Sequence, residues 1–430
     1  MQLSHTRPVV SATFDDPNLV SAAGLVPVMR IAADAGLRRL GDQHLTVPTD
    51  KGANAGLKVT SLVAGMIAGA DSIDDMAVLR HGGMRRIFRR VYAPSTLGSF
   101  LRAFTFGHVR QLDAVASRLL LNLANTTPLL GEHHGGEDTS MVFVDVDDTI
   151  IEVHGHAKQG AGFGYSGVRG LNTLIGTVSG PGFAPVIAAS RLRKGSTGSP
   201  RGAARLVADT LATVARTELS GRPVLVRADS AFYGHATVSA TRKAGADVSI
   251  TARMDPAIKR AIASISADAW TKIQYTNAIL DEATGQWVSV AEVAEIPFTA
   301  FTSRKKSEQI AGRLVVRRIP DLAPTAAPGQ GTLFDHWRFH AFFTTTGSDI
   351  LDTVAADKTH RQHAIIEQSH ADLKNGPLAH LPSVILSPRP GGLADLHVCV
   401  VDSVVDAVTV WSLSARTDEF RGLPAGRVAA

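Results

Sequence analysis

Residues 141–149 read Met-Val-Phe-Val-Asp-Val-Asp-Asp-Thr, and their strict alternation marks a β-strand. Val142, Val144 and Val146 share one face, Phe143, Asp145 and Asp147 the other, and Asp148 points back to the first. Two further apolar runs bounded by glycine, 172–179 and 185–190, predict two more strands. The periodicity then switches: 201–219 predicts a helix, 224–228 a strand ending at Asp229, 232–244 a helix and 247–252 a strand. Three strands, helix, strand, helix, strand is an α/β order. Its first three strands can pair as an antiparallel meander, and the later ones join through helical crossovers into a mixed sheet.

This is the element order of a ribonuclease H-like fold, in which the first and fourth strands lie side by side. Asp147 and Asp229 are therefore expected to meet at one edge. Residues 254–346 interrupt the pattern with β-like runs at 287–293, 313–319 and 337–344 and a Pro/Ala/Gly-rich stretch at 320–331. They predict a β-rich insertion. A helix is expected from about 349 through 373, broken near Lys358, and an apolar one over 393–413. Upstream, 20–36, 57–69, 71–80 and 96–122 space apolar residues by three and four, with Asp71 and Ser95 as N-caps. The expected division is a helical DNA-binding region (1–135), a first part of the core (136–253), the insertion (254–346), a catalytic helix (347–382) and a helical tail (383–430).

The 430 residues exceed one ordinary core. An apolar content of 44% with 19% charged residues describes a globular chain rather than a disordered one. The net charge is +5, and residues 1–135 hold 14 Lys/Arg against 10 Asp/Glu, or +4 of it. An anionic partner fits that bias, as does a merely soluble basic surface. Cys399 is alone, which excludes an internal disulfide and a multi-cysteine zinc site. The opening MQLSHTRPVV lacks the order of a signal peptide, and 57–70 is too short and glycine-broken to span a bilayer, so an intracellular, cytoplasmic protein without a membrane partner is expected.

In the helix around 360–374, His360, His363, Glu367, His370 and Lys374 fall on one stripe at 3.6 residues per turn. A solvated face is the plain reading. Yet two strand-end aspartates, Asp147 and Asp229, with a helical glutamate, Glu367, can hold two hard divalent cations about 4 Å apart over a phosphodiester. A His₂Glu zinc set from His360, His363 and Glu367 lacks the four-residue histidine spacing of metalloprotease helices. Arg85, Arg86, Arg89 and Arg90 would line one side of a short helix suited to a phosphate backbone, or form a solvated basic face.

These motifs together resemble the DDE transposases of bacterial insertion sequences, in the subgroup with a Tyr-x2-Arg-x3-Glu-x6-Lys signature. Glu367 and Lys374 meet the glutamate-to-lysine spacing, while His360 and His363 stand at the tyrosine and arginine positions. Asp147 followed by Thr149, the glycine-rich run through Gly164-Tyr165 and Gly170, Val226-Arg-Ala-Asp229, and Ala93-Pro-Ser-Thr96 resemble further motifs of the family. The resemblance implies metal-dependent DNA cleavage and strand transfer at terminal inverted repeats, in cut-and-paste transposition. It implies two Mg²⁺ ions, replaceable by Mn²⁺, on Asp147, Asp229 and Glu367, and a homodimer holding both element ends and target DNA. It also implies phosphate contacts by Lys374 and the positions of His360 and His363, with Arg361 as a compensating cation. In related transposases such an insertion reaches over the DNA end, which makes Trp287 and Trp337 candidates to stack a flipped base; core packing is the plainer reading for each.

Two rival readings stand beside it. Asp145-Val-Asp147-Asp-Thr149 also matches the DxDxT motif of haloacid dehalogenase-like phosphatases, with Asp145 as nucleophile and a parallel sheet to follow. The two histidine departures would also suit a catalytically impaired, DNA-binding relative.

Overall fold

The computed structural model describes residues 16–48, 50–70, 72–131, 139–154, 160–281, 286–320 and 337–375. Asp71, Cys399 and the expected helix over 393–413 lie outside them. The described N-terminal part is all helix: α1 (Leu25–Asp34), α2 (Leu37–His44), α3 (Ala55–Ile67), α4 (Met84–Ile87), α5 (Pro94–Arg102) and α6 (Phe106–Thr126), with a 3-10 segment at Asp74–Arg80.

The single helix expected over 96–122 is two. The first ends at Arg102 with Ala103 as its C-cap, and Thr105 caps the next, its hydroxyl taking the third-residue N–H while the His108 ring accepts from the Thr105 N–H at 2.9 Å. α5 begins at Pro94, whose missing N–H suits a first helical position, with Ala93 rather than Ser95 at the cap. α4 stops at Ile87 because Phe88 is extended and Arg90 is left-handed (φ 66°). The four arginines therefore do not share one helical side, although all four are exposed.

The strands are β1 (Val142–Glu152), β2 (Gly162–Phe163), β3 (Arg169–Gly180), β4 (Phe183–Lys194), β5 (Val224–Ala228), β6 (Asp247–Thr251), β7 (Thr271–Asp281), β8 (Gln286–Ala300), β9 (Ile310–Pro320) and β10 (Trp337–Thr344). Helices α7 (Ala203–Val214), α8 (His235–Lys243) and α9 (Pro256–Ala263) lie between β4 and β7. β1, β3 and β4 form the antiparallel meander, while β1–β5 and β5–β6 are parallel, giving the core order β4-β3-β1-β5-β6. The α/β class and the mixed sheet after a helical region are as read from the sequence.

Two features differ from that reading. β1 runs five residues past Asp147, where the buried Asp148 is neutralised by Arg193 of β4 and accepts a hydrogen bond from the Asn172 amide of β3. Asp147 is thus not at the end of its strand but at the point where the β5 ladder stops, Val146↔Ala228 being the last pair. The inserted strands are also not separate from the sheet. β10 pairs antiparallel with β6, and β9, β8 and β7 follow outward. Sequence patterns did not reveal α9 or β7: the first is short, capped by Asp255, and the second carries a polar, irregular stretch between Gln274 and Ile279.

One hydrophobic core runs through both layers. Leu62, Phe100, Val115 and Leu119 of the helices belong to it together with Val144, Val146, Leu174 and Val226 of the sheet and Ile366 and Leu373 of the last described helix. No helix among the described residues is long and apolar enough to cross a membrane.

Candidate active site

The register of β1 and β5 puts Asp147 and Asp229 each one residue beyond the pair Val146↔Ala228, on neighbouring strands about 5 Å apart. Asp229 leaves its strand as the cap of a 3-10 turn, its carboxylate accepting from the Ala231 N–H at 2.9 Å. The residue is exposed, yet partial desolvation of its carboxylate raises its pKa; the Ala231 bond and the charge of His363 oppose this, and the negative charges of Asp147 and Asp148 add to the rise.

The third acid arrives on a broken helix. α10 (Thr353–Arg361) gives way to a 3-10 segment, Gln362–Ile365, and then to α11 (Ile366–Asn375). The break falls four residues later than the sequence suggested, and it turns the histidine stripe into separate environments. Glu367 is exposed in the first turn of α11. One turn on, His370 is buried with its Nε2 3.3 Å from Asp147 Oδ2, without the alignment of a hydrogen bond. Glu367 therefore stands beside the strand that carries Asp147. Tyr165 is an exposed residue whose hydroxyl lies 3.4 Å from the Asp148 carbonyl; partial desolvation there raises its phenol pKa, and the charges of Asp148, Asp147, Glu367 and Asp229 add to that rise.

Asp145 has a different situation. It is fully buried, with Arg227 donating from Nε at 2.8 Å and from the terminal nitrogen at 2.7 Å, and with His363 Nδ1 at 2.8 Å. Arg227 also donates to the Thr359 carbonyl at 2.8 Å and lies 4.3 Å from the Phe143 ring centroid. This buried pair joins β1, β5 and the end of α10, and so fixes the helix that leads to Glu367. The sequence reading gave Arg227 no role and placed His370 on the polar stripe without assigning it to Asp147. An arginine inside the apolar run Val224–Ala228, two residues before Asp229, was the available signal, since a buried guanidinium needs an acid.

The remaining expected contacts divide. His360 is half-buried, its ring stacked on Phe342 at 4.1 Å, with Nδ1 2.9 Å from Ser249 Oγ and Nε2 3.0 Å from Thr251 Oγ1. Both nitrogens are occupied, so in this conformation the ring offers nothing to a phosphate. Burial and the nearby His363, Arg317 and Arg227 push its pKa down to about 3. A histidine held neutral stabilises the fold above its unfolded value near 6.5, and that stability is lost as pH falls toward 3. The loss amounts to roughly 5 kcal/mol at most. Thermal unfolding of the wild type between pH 7 and 4 should therefore show a steeper loss than His360→Gln, whatever the offset between them at pH 7.

Arg361 donates to Asp357 at 2.9 Å, and Arg317 binds the same carboxylate. Lys374 is exposed in the last turn of α11. Trp337 lies under Arg318, whose guanidinium is 4.4 Å from its ring centroid and 4.2 Å from that of Trp270. Trp287 belongs to β8, opposite Leu280.

Carboxylates that raise one another's negative potential suit a hard, oxygen-seeking divalent cation, and Asp147, Asp229 and Glu367 fit such a group in donor type. Among the described residues no three His, Cys, Asp or Glu side chains are drawn together closely enough to hold a metal ion.

The profile of a family described as transposase DDE domain, group 1, matches residues 3–320, a span that includes Asp147 and Asp229 and stops short of Glu367. Members of a DDE family use a divalent metal. No curated protein matches the chain. Among solved structures, a piggyBac transposase synaptic complex with hairpin DNA is similar over 96% of this chain and 78% of that one, at 9% identity and a TM-score of 0.41.

Proposed function

The chain belongs to the transposase DDE domain group 1 family, and on that premise we propose that it cuts DNA at the inverted-repeat ends of an insertion sequence and joins the freed ends to a target. The observation that most supports this reading is the β1–β5 register, which sets Asp147 beside Asp229 across 82 residues of sequence, with α11, the helix of Glu367, packed against β1. Asp147, Asp229 and Glu367 are the proposed ligands of two Mg²⁺ ions. When bound, these ions would polarise the scissile phosphodiester and lower the pKa of the attacking hydroxyl.

Asp147 is favoured over Asp145 because the lone pairs of Asp145 are engaged by Arg227 and His363, whereas the Asp147 side chain keeps 20% of its exposure. The same burial argues against the phosphatase reading, which needs Asp145 as an accessible nucleophile. The antiparallel β1–β3 pairing argues against its parallel sheet. Lys374, exposed two turns beyond Glu367, is proposed to contact phosphate near the scissile bond. His363 is proposed to position Asp145 and Arg227 and to place its positive charge, when protonated, toward Asp229.

The direct test is cleavage of the protein's own flanking repeats in Mg²⁺ or Mn²⁺. Failure of the wild-type protein to cut them in either metal would remove the proposal. Arg85, Arg86, Arg89 and Arg90 are proposed to bind the repeat backbone as a cluster rather than a helical row. Replacing all four by alanine should make the dependence of log K on log salt shallower by about 0.9 for every phosphate no longer neutralised. Titrations at three salt concentrations check this, and an unchanged slope would exclude the four arginines from the interface.

A further inference from the structure

A cavity of about 220 Å³ lies away from the carboxylates, where α6, the edge strand β4 and α7 meet. Ser190 in its wall is aligned through Ile175 with Asp147, so two strand spacings, roughly 10 Å, separate it from that acid. The space is several times the share of one water, about 30 Å³. It falls short of the roughly 300 Å³ at which pockets for drug-sized ligands begin. A phosphate carrying part of a sugar has the right bulk.

Charge decides what the cavity can hold. Arg110, Arg118, Arg191 and Arg216 line it together with Asp113 and Asp209, so four positive charges against two negative leave +2. Both acids are already engaged. Asp209 accepts from Arg110 at 3.1 Å, from Arg205 at 3.0 Å and from Arg191, and Asp113 accepts from Arg110. Among the described residues, Arg118 and Arg216 meet no carboxylate. Arg118 donates to the Ala114 carbonyl at 3.0 Å, and Arg216 to the Ala212 carbonyl at 3.0 Å and the Thr213 hydroxyl at 3.4 Å. A guanidinium has five N–H donors, so both keep several for a ligand. The Nε of Arg191 is buried without a hydrogen-bond partner. Partial desolvation, and then the Arg118 charge, lower the Arg216 pKa, as two like charges held near each other require.

The wall is shaped as well as charged. Between the pairs Gly176↔Ala189 and Thr177↔Ile187, β4 has one residue more than β3, so Ala188 bulges at the lining. Bulges on edge strands re-aim the side chains beside a site.

We propose that Arg118 and Arg216, together with Arg191, seat a phosphate group that bridges the helical region and the sheet. Planar guanidinium forks match phosphate oxygens two at a time. The phosphate comes from a small ester in solution or from a DNA backbone, and the experiment separates these sources. The seat itself does not depend on the transposase reading.

Thermal unfolding of the full-length protein in inorganic phosphate is compared with that in chloride at matched ionic strength. A hundredfold excess over Kd should raise the wild-type Tm by about 3–5 °C. Phosphate also stabilises proteins through exclusion from their surface, so the variants carry the decision. Arg118→Gln with Arg216→Gln should keep only that non-specific rise. Arg216→Glu, which brings a carboxylate to Arg118, should raise Tm in chloride and lose the phosphate response. An equal rise in the wild type and both variants would overturn the seat.

Binding of the terminal-repeat duplex reads the source. If DNA supplies the phosphate, the double glutamine variant should bind more weakly with a salt slope shallower by about 0.9, and free phosphate should compete. If a small ester supplies it, DNA affinity should be the same in wild type and variant. Either result upholds the seat once the variants have lost the phosphate response. A wild-type protein that fails to cut its repeats would remove the transposase reading and leave the Tm comparison standing.

Discussion

Asp229→Asn should lower metal-dependent cleavage of the terminal repeat by at least about 10³-fold, since the charge stabilisation an ion supplies is worth several kcal/mol. The same substitution should make the metal-free protein more stable at neutral pH. Partial desolvation, with Asp147 and Asp148 nearby, raises the pKa of Asp229, an otherwise exposed residue, against the opposing bond from Ala231 and the charge of His363. A carboxyl whose folded pKa is raised binds its proton more tightly in the folded state. Its contribution is fully present below the unfolded value and is lost as pH rises through the folded one. At pH 7 the ionised group is therefore a liability, and asparagine removes the charge while keeping an oxygen for the Ala231 cap. Gel assays of cleavage and thermal unfolding without metal at pH 7 read the two effects. Loss of activity together with loss of stability would point to a structural role for Asp229 instead. Glu367→Ala should lose cleavage to a similar degree, whereas a phosphatase centred on Asp145 would be indifferent to it.

Arg227→Met should destabilise the fold by about 3–5 kcal/mol, the usual result of leaving one member of a buried ion pair alone. Asp145 would keep His363 beside it, in a site with no access to water. Combining Asp145→Leu with Arg227→Met should recover much of that loss, because two apolar side chains replace the pair without stranding a charge. Denaturant unfolding of the single and double variants checks this. The double variant should still cut DNA poorly, since the Arg227 bond to the Thr359 carbonyl, which ties α10 to β5, is gone. A double variant that regains both stability and activity would show that the tie has no part in placing α11.

Alternation in β1 and the apolar runs around Asn172, Val186 and Val226 made the meander and the β1–β5 neighbourhood legible, and with them the meeting of Asp147 and Asp229. Strand patterns carry that information because one residue of slip would turn every valine outward. The site's other half was harder to read. Helical spacing put His360, His363, Glu367 and His370 on one stripe, but the 3-10 turn at Gln362–Ile365 redistributes them: His360 packs into the core, His363 joins Asp145, and Glu367 remains outside. That turn has no glycine or proline to announce it. It follows from tertiary contacts, namely the Phe342 stack and the Arg227 bond, which lie far off in sequence. The continuation of β1 past Asp147 was hidden similarly, because Arg193, which neutralises Asp148, comes from 45 residues downstream.

The antiparallel seam between β6 and β10 has a mechanical consequence. Because β7 to β10 are joined through β6 to the sheet that carries Asp147 and Asp229, the inserted hairpins cannot swing as a free arm; they tilt only as the whole sheet twists. Any rearrangement that seats Glu367 against its two partners is therefore left to the joint at Gln362–Ile365, where the helix already changes pitch.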